Sequence, residues 1–501
     1  MSQINESTLR TPGVYVNEIP SFPPSIAQVA TAIPAFIGYT QIAKDSSGND
    51  LTNKPTKISS LLEYELYFGK AQLETGIQIT YLQVISGKVS TDTISFAFAA
   101  NTKSRHIMHS AIRHFYANGG GFCYIVSIGA YKAAINDALV LTDFYNAGTG
   151  VGLEAIAKES EPTLIVFPEG QNMASNADYL SLQAHALDQC GSLQDRFCIM
   201  DMYDTGETLI TTAQLQGVTD DFRNTLTPAD PNNINYGAVY FPNLKTVYSY
   251  DYDESKILIA HHTITDGAAP VAGAFDGHFL KDVNTPGNAA YSSSGYNTLK
   301  TALNTQFPIV MPPSPAMAGI YAAVDGSRGV WKAPANVGVL DVTKATFQIS
   351  DELQQSLNID PGSGRSINAI RAFTGKGILV WGARTLDGSS NDFRYISVRR
   401  FYIMVEESVK LAAMQFVFEP NDGHTWVRIR AMIENYLTNL WRLGALAGSK
   451  PEQAFYVKVG LGQTMIFDDI LNGKLIVEIG MAPVRPAEFI ILRFSQIQQQ
   501  A

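Results

Sequence analysis

The 501 residues allow roughly three domains, and 36 Lys+Arg against 46 Asp+Glu, a net charge of −10, argue against a nucleic-acid binder, which needs a basic face to replace phosphate counterions. Charged residues make up only 16%, where about a quarter is typical. No apolar run approaches the ~18 residues of a membrane span, Met1 to Pro12 hold no secretory-type stretch, and Cys123, Cys190 and Cys198 form no CxxC pair, as suits a reducing cytoplasm.

In chain order, Gly13-Val14-Tyr15-Val16-Asn17-Glu18-Ile19 reads as a strand bounded by Pro12 and Pro20. Pro20, Pro23 and Pro24 forbid helix and ladder and make an extended spacer before a second strand near Ala35 to Tyr39. A strand cut off by a stiff spacer either folds back or pairs with another chain. Residues 44–100 are rich in Ser, Thr, Asn and Gly and carry no motif. A helix is predicted over Arg105 to Ala117, with Ile107, Met108, Ala111, Ile112 and Phe115 on one face, ended by Asn118-Gly119-Gly120-Gly121 and followed by a strand at Phe122 to Val126. A strand at Thr163–Phe167, a helix near Ala177–Gln189 and a strand at Arg196–Met200 repeat the alternation, which implies an α/β layer with some parallel pairing. Residues 242–307 again read as loop-rich decoration.

The last third is the most regular. Ser350 caps a short helix from Asp351, Gly377–Trp381 reads as a buried strand, and helices are expected over Arg399–Gln415 and Thr425–Leu443. In the second helix Met432, Ile433, Tyr436, Leu437, Leu440 and Trp441 recur at helical spacing, the pattern of a core stripe. Strands at Ala454–Val459 and Leu475–Ile479 are joined through a turn at Asn472-Gly473. Glu488-Phe489-Ile490-Ile491-Leu492-Arg493-Phe494 is an apolar β-run that must be covered by its own sheet or by a neighbouring subunit. Charge divides the same way: from Thr346 onward there are 16 Lys+Arg and 15 Asp+Glu, and before it 20 and 31. All four tryptophans lie beyond residue 330.

Catalytic chemistry finds little support. His106, His109 and His114 recur on one helix without a Cys or carboxylate in the local pattern, which reads as a polar helix face; His261-His262 point apart on a strand. The glycines at 119–121 follow a helix instead of preceding one, and Gly375-Lys376-Gly377 lacks the upstream glycine of a P-loop. No GxSxG occurs. No catalytic residue, metal ligand or cofactor is expected.

Blocks of residues then align in order: Thr11–Val16 with Ala32–Thr40; Ala111–Tyr124; Pro312-Pro313-Ser314 with Arg328–Asn336; Asn368–Arg371 through Trp381–Leu386; Arg399-Arg400; Phe418-Glu419-Pro420-Asn421; Gly444–Gly448; and Pro486-Ala487-Glu488-Phe489. Together they resemble the sheath proteins of contractile phage tails and of bacterial contractile injection systems. The resemblance implies a mixed α/β, multi-domain subunit of a homo-oligomer of stacked rings around an inner tube, with baseplate and terminal cap proteins as further partners and no direct nucleic-acid or membrane contact. Such particles are assembled in the bacterial cytoplasm. Expected domains are an arm at 1–25, an acidic body at 26–345 with outward insertions near 44–100 and 242–307, an inner domain at 346–487 and a terminal strand at 488–501.

The resemblance further implies β-arms that add to neighbours' sheets: Val14, Tyr15, Val16 and Ile19 at one end, Phe489, Ile490, Ile491, Leu492 and Phe494 at the other. Their expected acceptor is the hairpin carrying Phe455, Val457, Val459, Leu475, Val477 and Ile479. The charge split suggests that Arg394, Arg399, Arg400 and Lys410 meet an acidic tube. An α/β nucleotide-using enzyme, or a different self-assembling shell, are the alternative readings; the first rests on fold analogy alone.

Overall fold

The computed structural model describes residues 25–86, 89–203, 211–267 and 269–493. The expected strand with Val14, Tyr15, Val16 and Ile19, and the position of Phe494, lie outside the described residues. The described residues form two compact units: Ala30–Met404 with residues 485–493, and Val405–Val484 with residues 25–29.

The larger unit is built on a nine-stranded sheet. From one edge to the other its strands are Val337–Gly338, Gly377–Val380, Asn368–Phe373, Gly237–Phe241, Phe197–Asp201, Leu164–Val166, Pro34–Thr40, Cys123–Ala130 and Thr56–Ile58. The six central strands, from Asn368–Phe373 to Cys123–Ala130, are parallel. All seven residues of Pro34–Thr40 are buried, as a parallel strand covered on both faces requires. The unit boundary at Val405 differs from the domain start expected at 346. The reason is that Asn368 and Ala369 pair in parallel with Tyr240 and Phe241, which draws residues 346–404 into the body's own sheet.

Helices Met108–Ala117 and Ser314–Arg328 pack against each other where glycine permits close approach. A Cβ on Gly319 would lie 2.5 Å from the Phe115 carbonyl oxygen, and one on Gly119, at φ +95, would lie 2.8 Å from the Ala323 methyl. Neither helix supplies its own N-cap. Glu169, fully buried, accepts from the Ile107 and Tyr39 peptide N–H groups at 3.0 and 2.9 Å. Asp201, also buried, accepts from the Ser314 N–H at 2.8 Å and its hydroxyl at 2.5 Å. Burial raises the Asp201 carboxyl pKa to about 7, although the two Ser314 bonds work against the rise. Because the folded pKa lies above the unfolded one, this group holds more protons folded than unfolded, and its contribution falls as pH rises from about 4 to about 7. The Asp201→Asn variant should therefore gain stability relative to the parent between pH 5 and pH 8, by about 2–4 kcal/mol. Urea midpoints at the two pH values measure it; an equal difference at both would refute it.

The two stretches read as loop-rich decoration fold together. Ile77–Ser86 and Val89–Phe98 form an antiparallel hairpin, and Leu258–Asp266 joins Ile77–Ser86 in parallel. With Val271–Ala272 they make a four-stranded sheet over a core of its own that includes Ile77, Ile79, Ile257, Ile259, Leu299 and Leu303. The exposed face of Val89–Phe98 is rich in Ser, Thr and Asp, which made that strand read as loop. His262 stacks between Tyr81 and Phe275, ring centroids 4.7 Å from each, while His261 is exposed, as alternation on a strand demands.

In the smaller unit, helix Gly423–Arg442 is capped by the Asp422 carboxylate, which accepts from the His424 and Thr425 N–H groups at 3.0 Å. Its buried stripe of Ile429, Met432, Ile433, Tyr436, Leu437 and Leu440 matches the expected core face, with Trp441 only partly covered.

Candidate functional site

Phe455–Val459 and Val477–Met481 form an antiparallel, two-stranded sheet with Val457 opposite Ile479 and Val459 opposite Val477. The second strand starts two residues later than expected, leaving Leu475 before it, because a short helix, Phe467–Leu471, occupies much of the connection. Gly473, at φ +70, makes the turn. Val457 and Val459 are buried and Phe455, Val477 and Ile479 half-buried on the same side of the ladder; Tyr456, Lys458 and Glu478 are exposed. Lys458 Nζ lies 3.5 Å from Glu478 across the strands. Among the described residues no third strand flanks the pair on either side.

The segment after Glu488 presents the complementary feature. Phe489, Ile490, Ile491 and Leu492 are 72–79% exposed, and among the described residues they belong to no sheet. Among the described residues the expected strand thus forms no ladder. Its root is held: Glu488 accepts from Arg384 Nε at 3.0 Å and Nη2 at 2.5 Å, and from Asn358 Nδ2 at 3.0 Å. Burial acts to raise the Glu488 carboxyl pKa, and the bonds from Arg384 and Asn358 outweigh it and hold the group below its ordinary range.

Two of the four basic groups assigned to a tube contact are structural. Arg400 is buried and bidentate to Asp325, at 3.1 and 2.5 Å, donates to the Thr31 carbonyl at 2.8 Å and lies over the Tyr321 ring. Arg399 is buried between the rings of Tyr236 and Phe393, 4.5 and 4.4 Å from their centroids. A guanidinium already committed inside the subunit has no free charge to offer another protein, so Arg399 and Arg400 are withdrawn as tube contacts. Arg394 is half-buried, bonded to Ser390 and Asn391, and Lys410 is exposed beside Glu407.

The histidines at 106, 109 and 114 do not form the polar helix face expected, and His106 precedes the helix, which begins at Met108. His106 and His114 are buried, the latter's Nε2 3.1 Å from the Leu340 carbonyl, and His109 bonds Glu65. Among the described residues no group of three metal-ligating side chains occurs, and no helix is long and apolar enough to cross a membrane. All three cysteines are buried and unbridged, and burial pushes the Cys123 and Cys190 thiols up to about 12.

Among the described residues, a two-stranded sheet without a flanking strand and an exposed apolar segment thus occur in one chain. Residues 388–497 match the family model described as the phage tail sheath C-terminal domain. Over 98% of its length the chain is similar, at 28% identity and TM-score 0.60, to the sheath of the PVC extracellular contractile injection system in its contracted state, covering 98% of that chain. The contracted helical sheath of the anti-feeding prophage matches at 28% identity and TM-score 0.60, with 98% of this chain and 100% of that one covered. A tail sheath protein of Vibrio phage KVP40 is 24% identical over 185 residues, 37% of this chain, and one of Burkholderia phage BcepMu 28% identical over 144 residues, 28% of this chain. These two matches span 26% and 30% of the relatives' own lengths. In sequence over residues 388–497 and in fold over nearly its whole length, the chain is similar to contractile tail sheath proteins, the family its motif blocks resemble.

Proposed function

We propose that this chain is the structural subunit of a contractile sheath, which polymerises helically around an inner tube and shortens from a metastable extended state to drive the tube through a target envelope. One observation carries the reading: among the described residues the chain holds a two-stranded sheet with no flanking strand and an exposed apolar segment, on a fold similar over 98% of its length to a contracted sheath subunit. A two-stranded sheet has two outer edges, and the chain offers two donors, residues 14–19 and 489–494. Each copy's hairpin, at Phe455, Val457, Val459, Val477 and Ile479, accepts strands from neighbours, so links persist while the subunit bodies swing. Pro20, Pro23 and Pro24 form the spacer of the N-terminal arm. Work comes from body-to-body interfaces better satisfied in the shortened state, a two-state element that needs no nucleotide at the stroke. The chain acts as a structural protein and not as an enzyme. Its partners are further copies, the inner tube, baseplate and terminal cap, in a phage tail or injection particle assembled in a bacterial cytoplasm. Lys410 and Arg394 are the basic groups left for the tube contact.

Electron microscopy of the purified chain tests the reading. Helical tubes or rings are expected, where another shell protein would give discrete particles or flat sheets. Deleting residues 1–20, or everything after Glu488, should leave folded subunits that build no tubes. Normal polymerisation of either truncated chain would overturn strand lending.

A further inference from the structure

The root of the C-terminal arm ends in a seat that is built independently of it. Arg384 is held by Asn368, whose side chain accepts from the Arg384 peptide N–H at 2.8 Å and donates to its carbonyl at 2.8 Å. Asn368 itself is buried at the start of a strand of the nine-stranded sheet. The Arg384 guanidinium also donates from Nη1 to the Gly388 carbonyl at 2.7 Å and faces the Tyr395 ring. Its side chain is 3% exposed, and among the described residues Glu488 is its one ion-pair partner. Asn358 and the Tyr395 hydroxyl complete the shell around the carboxylate, at 3.0 and 3.3 Å. The arrangement is a rigid carboxylate receptor of the bidentate type. Its ligand is the residue directly before Phe489, the first of the four exposed apolar side chains.

We propose that Arg384, with Asn358 and Tyr395, is the positioning site of the C-terminal arm: it clasps Glu488 and so sets where residues 489–492 leave the body to pair with a second copy of this chain. The proposal rests on the strand-lending reading above. The clasp restricts the free arm before it meets a neighbour, so that less conformational freedom is lost on pairing. The pivot of the arm is then at Phe489, beyond the clasp.

The test uses full-length chains, mixing one that carries Ile491→Cys with one that carries Tyr456→Cys and reading the yield of the disulfide between them, with thermal midpoints as the folding control. Glu488→Gln and Arg384→Gln should each lower the cross-link yield about tenfold, equivalent to about 1.4 kcal/mol. The double reversal Arg384→Glu with Glu488→Arg should recover part of it. Removing one partner of a buried pair can unfold a subunit, so Glu488→Asp, which keeps the charge and draws the root back by one methylene, is read as well; it should fold and cross-link poorly. Parent-like cross-linking and tubes in these variants, while truncation after Glu488 abolishes tubes, would overturn the clasp and leave strand lending standing. Tubes unaffected by truncation after Glu488 would overturn both.

Discussion

Replacing Ile490 and Ile491 together by Asp should abolish tube formation and leave the thermal midpoint of the isolated subunit unchanged. The two side chains are 77% and 79% exposed, so the folded subunit derives almost nothing from them. In a neighbour's sheet the balance reverses. Burying Phe489, Ile490, Ile491 and Leu492 contributes about 1.5–3 kcal/mol each, and every ladder hydrogen bond about 0.5–1.5 kcal/mol. Ordering the strand costs about 1–2 kcal/mol per residue, leaving a link worth a few kcal/mol. An unpaired carboxylate at either position costs at least that much to bury. Electron microscopy together with a melting curve measures both halves. Tubes of normal length, or a midpoint that drops with the tubes, would show that the segment serves its own subunit.

The second large effect is expected at Arg400. Its replacement by Ala should cost the subunit about 3–5 kcal/mol, because Asp325, whose side chain is 6% exposed, is left as an uncompensated buried charge. Thr31 adds to the cluster through its hydroxyl, 2.6 Å from Asp325, and its carbonyl, which accepts from Arg400. Replacing both partners, as Arg400→Met with Asp325→Leu, should recover most of the loss, since a buried ion pair is worth little more than a well-packed apolar pair. Denaturant unfolding of the three chains decides this. A loss below about 1 kcal/mol in Arg400→Ala would place Arg400 at the surface and reopen its role in binding the tube.

Local signals carried well wherever the physics is local. Ser350 caps the helix Asp351–Asn358 through its hydroxyl, as its position predicts. The glycines after Ala117, the apolar runs of four of the six parallel strands, Pro34–Thr40, Cys123–Ala130, Leu164–Val166 and Phe197–Asp201, and the stripe on helix Gly423–Arg442 fell where periodicity and turn chemistry put them. The exposed apolar run at 489–492 was legible for the same reason: too many large side chains and too little charge for an open edge.

Partnership was not legible. Glu169 and Asp201 cap helices that begin 61 residues before and 113 residues after them, and nothing near Met108 or Ser314 announces it. The strands at 77–98 hid their order because Val89–Phe98 is rich in Ser and Thr and largely exposed, and their further partner at 258–266 lies far along the chain. Arg399 and Arg400 show the limit most sharply. Formal charge counted them as surface cations, while the fold buries both, one against Asp325 and the other between aromatic rings.

The amino-acid order alone thus determined many of the elements, the apolar run at 489–492 and the likeness to sheath proteins, since each depends on spacing or composition along the chain. Which carboxylate caps which helix, which arginine is buried and where Glu488 is held were decided only by tertiary structure, because a buried charge takes its meaning from the group that long-range folding sets beside it.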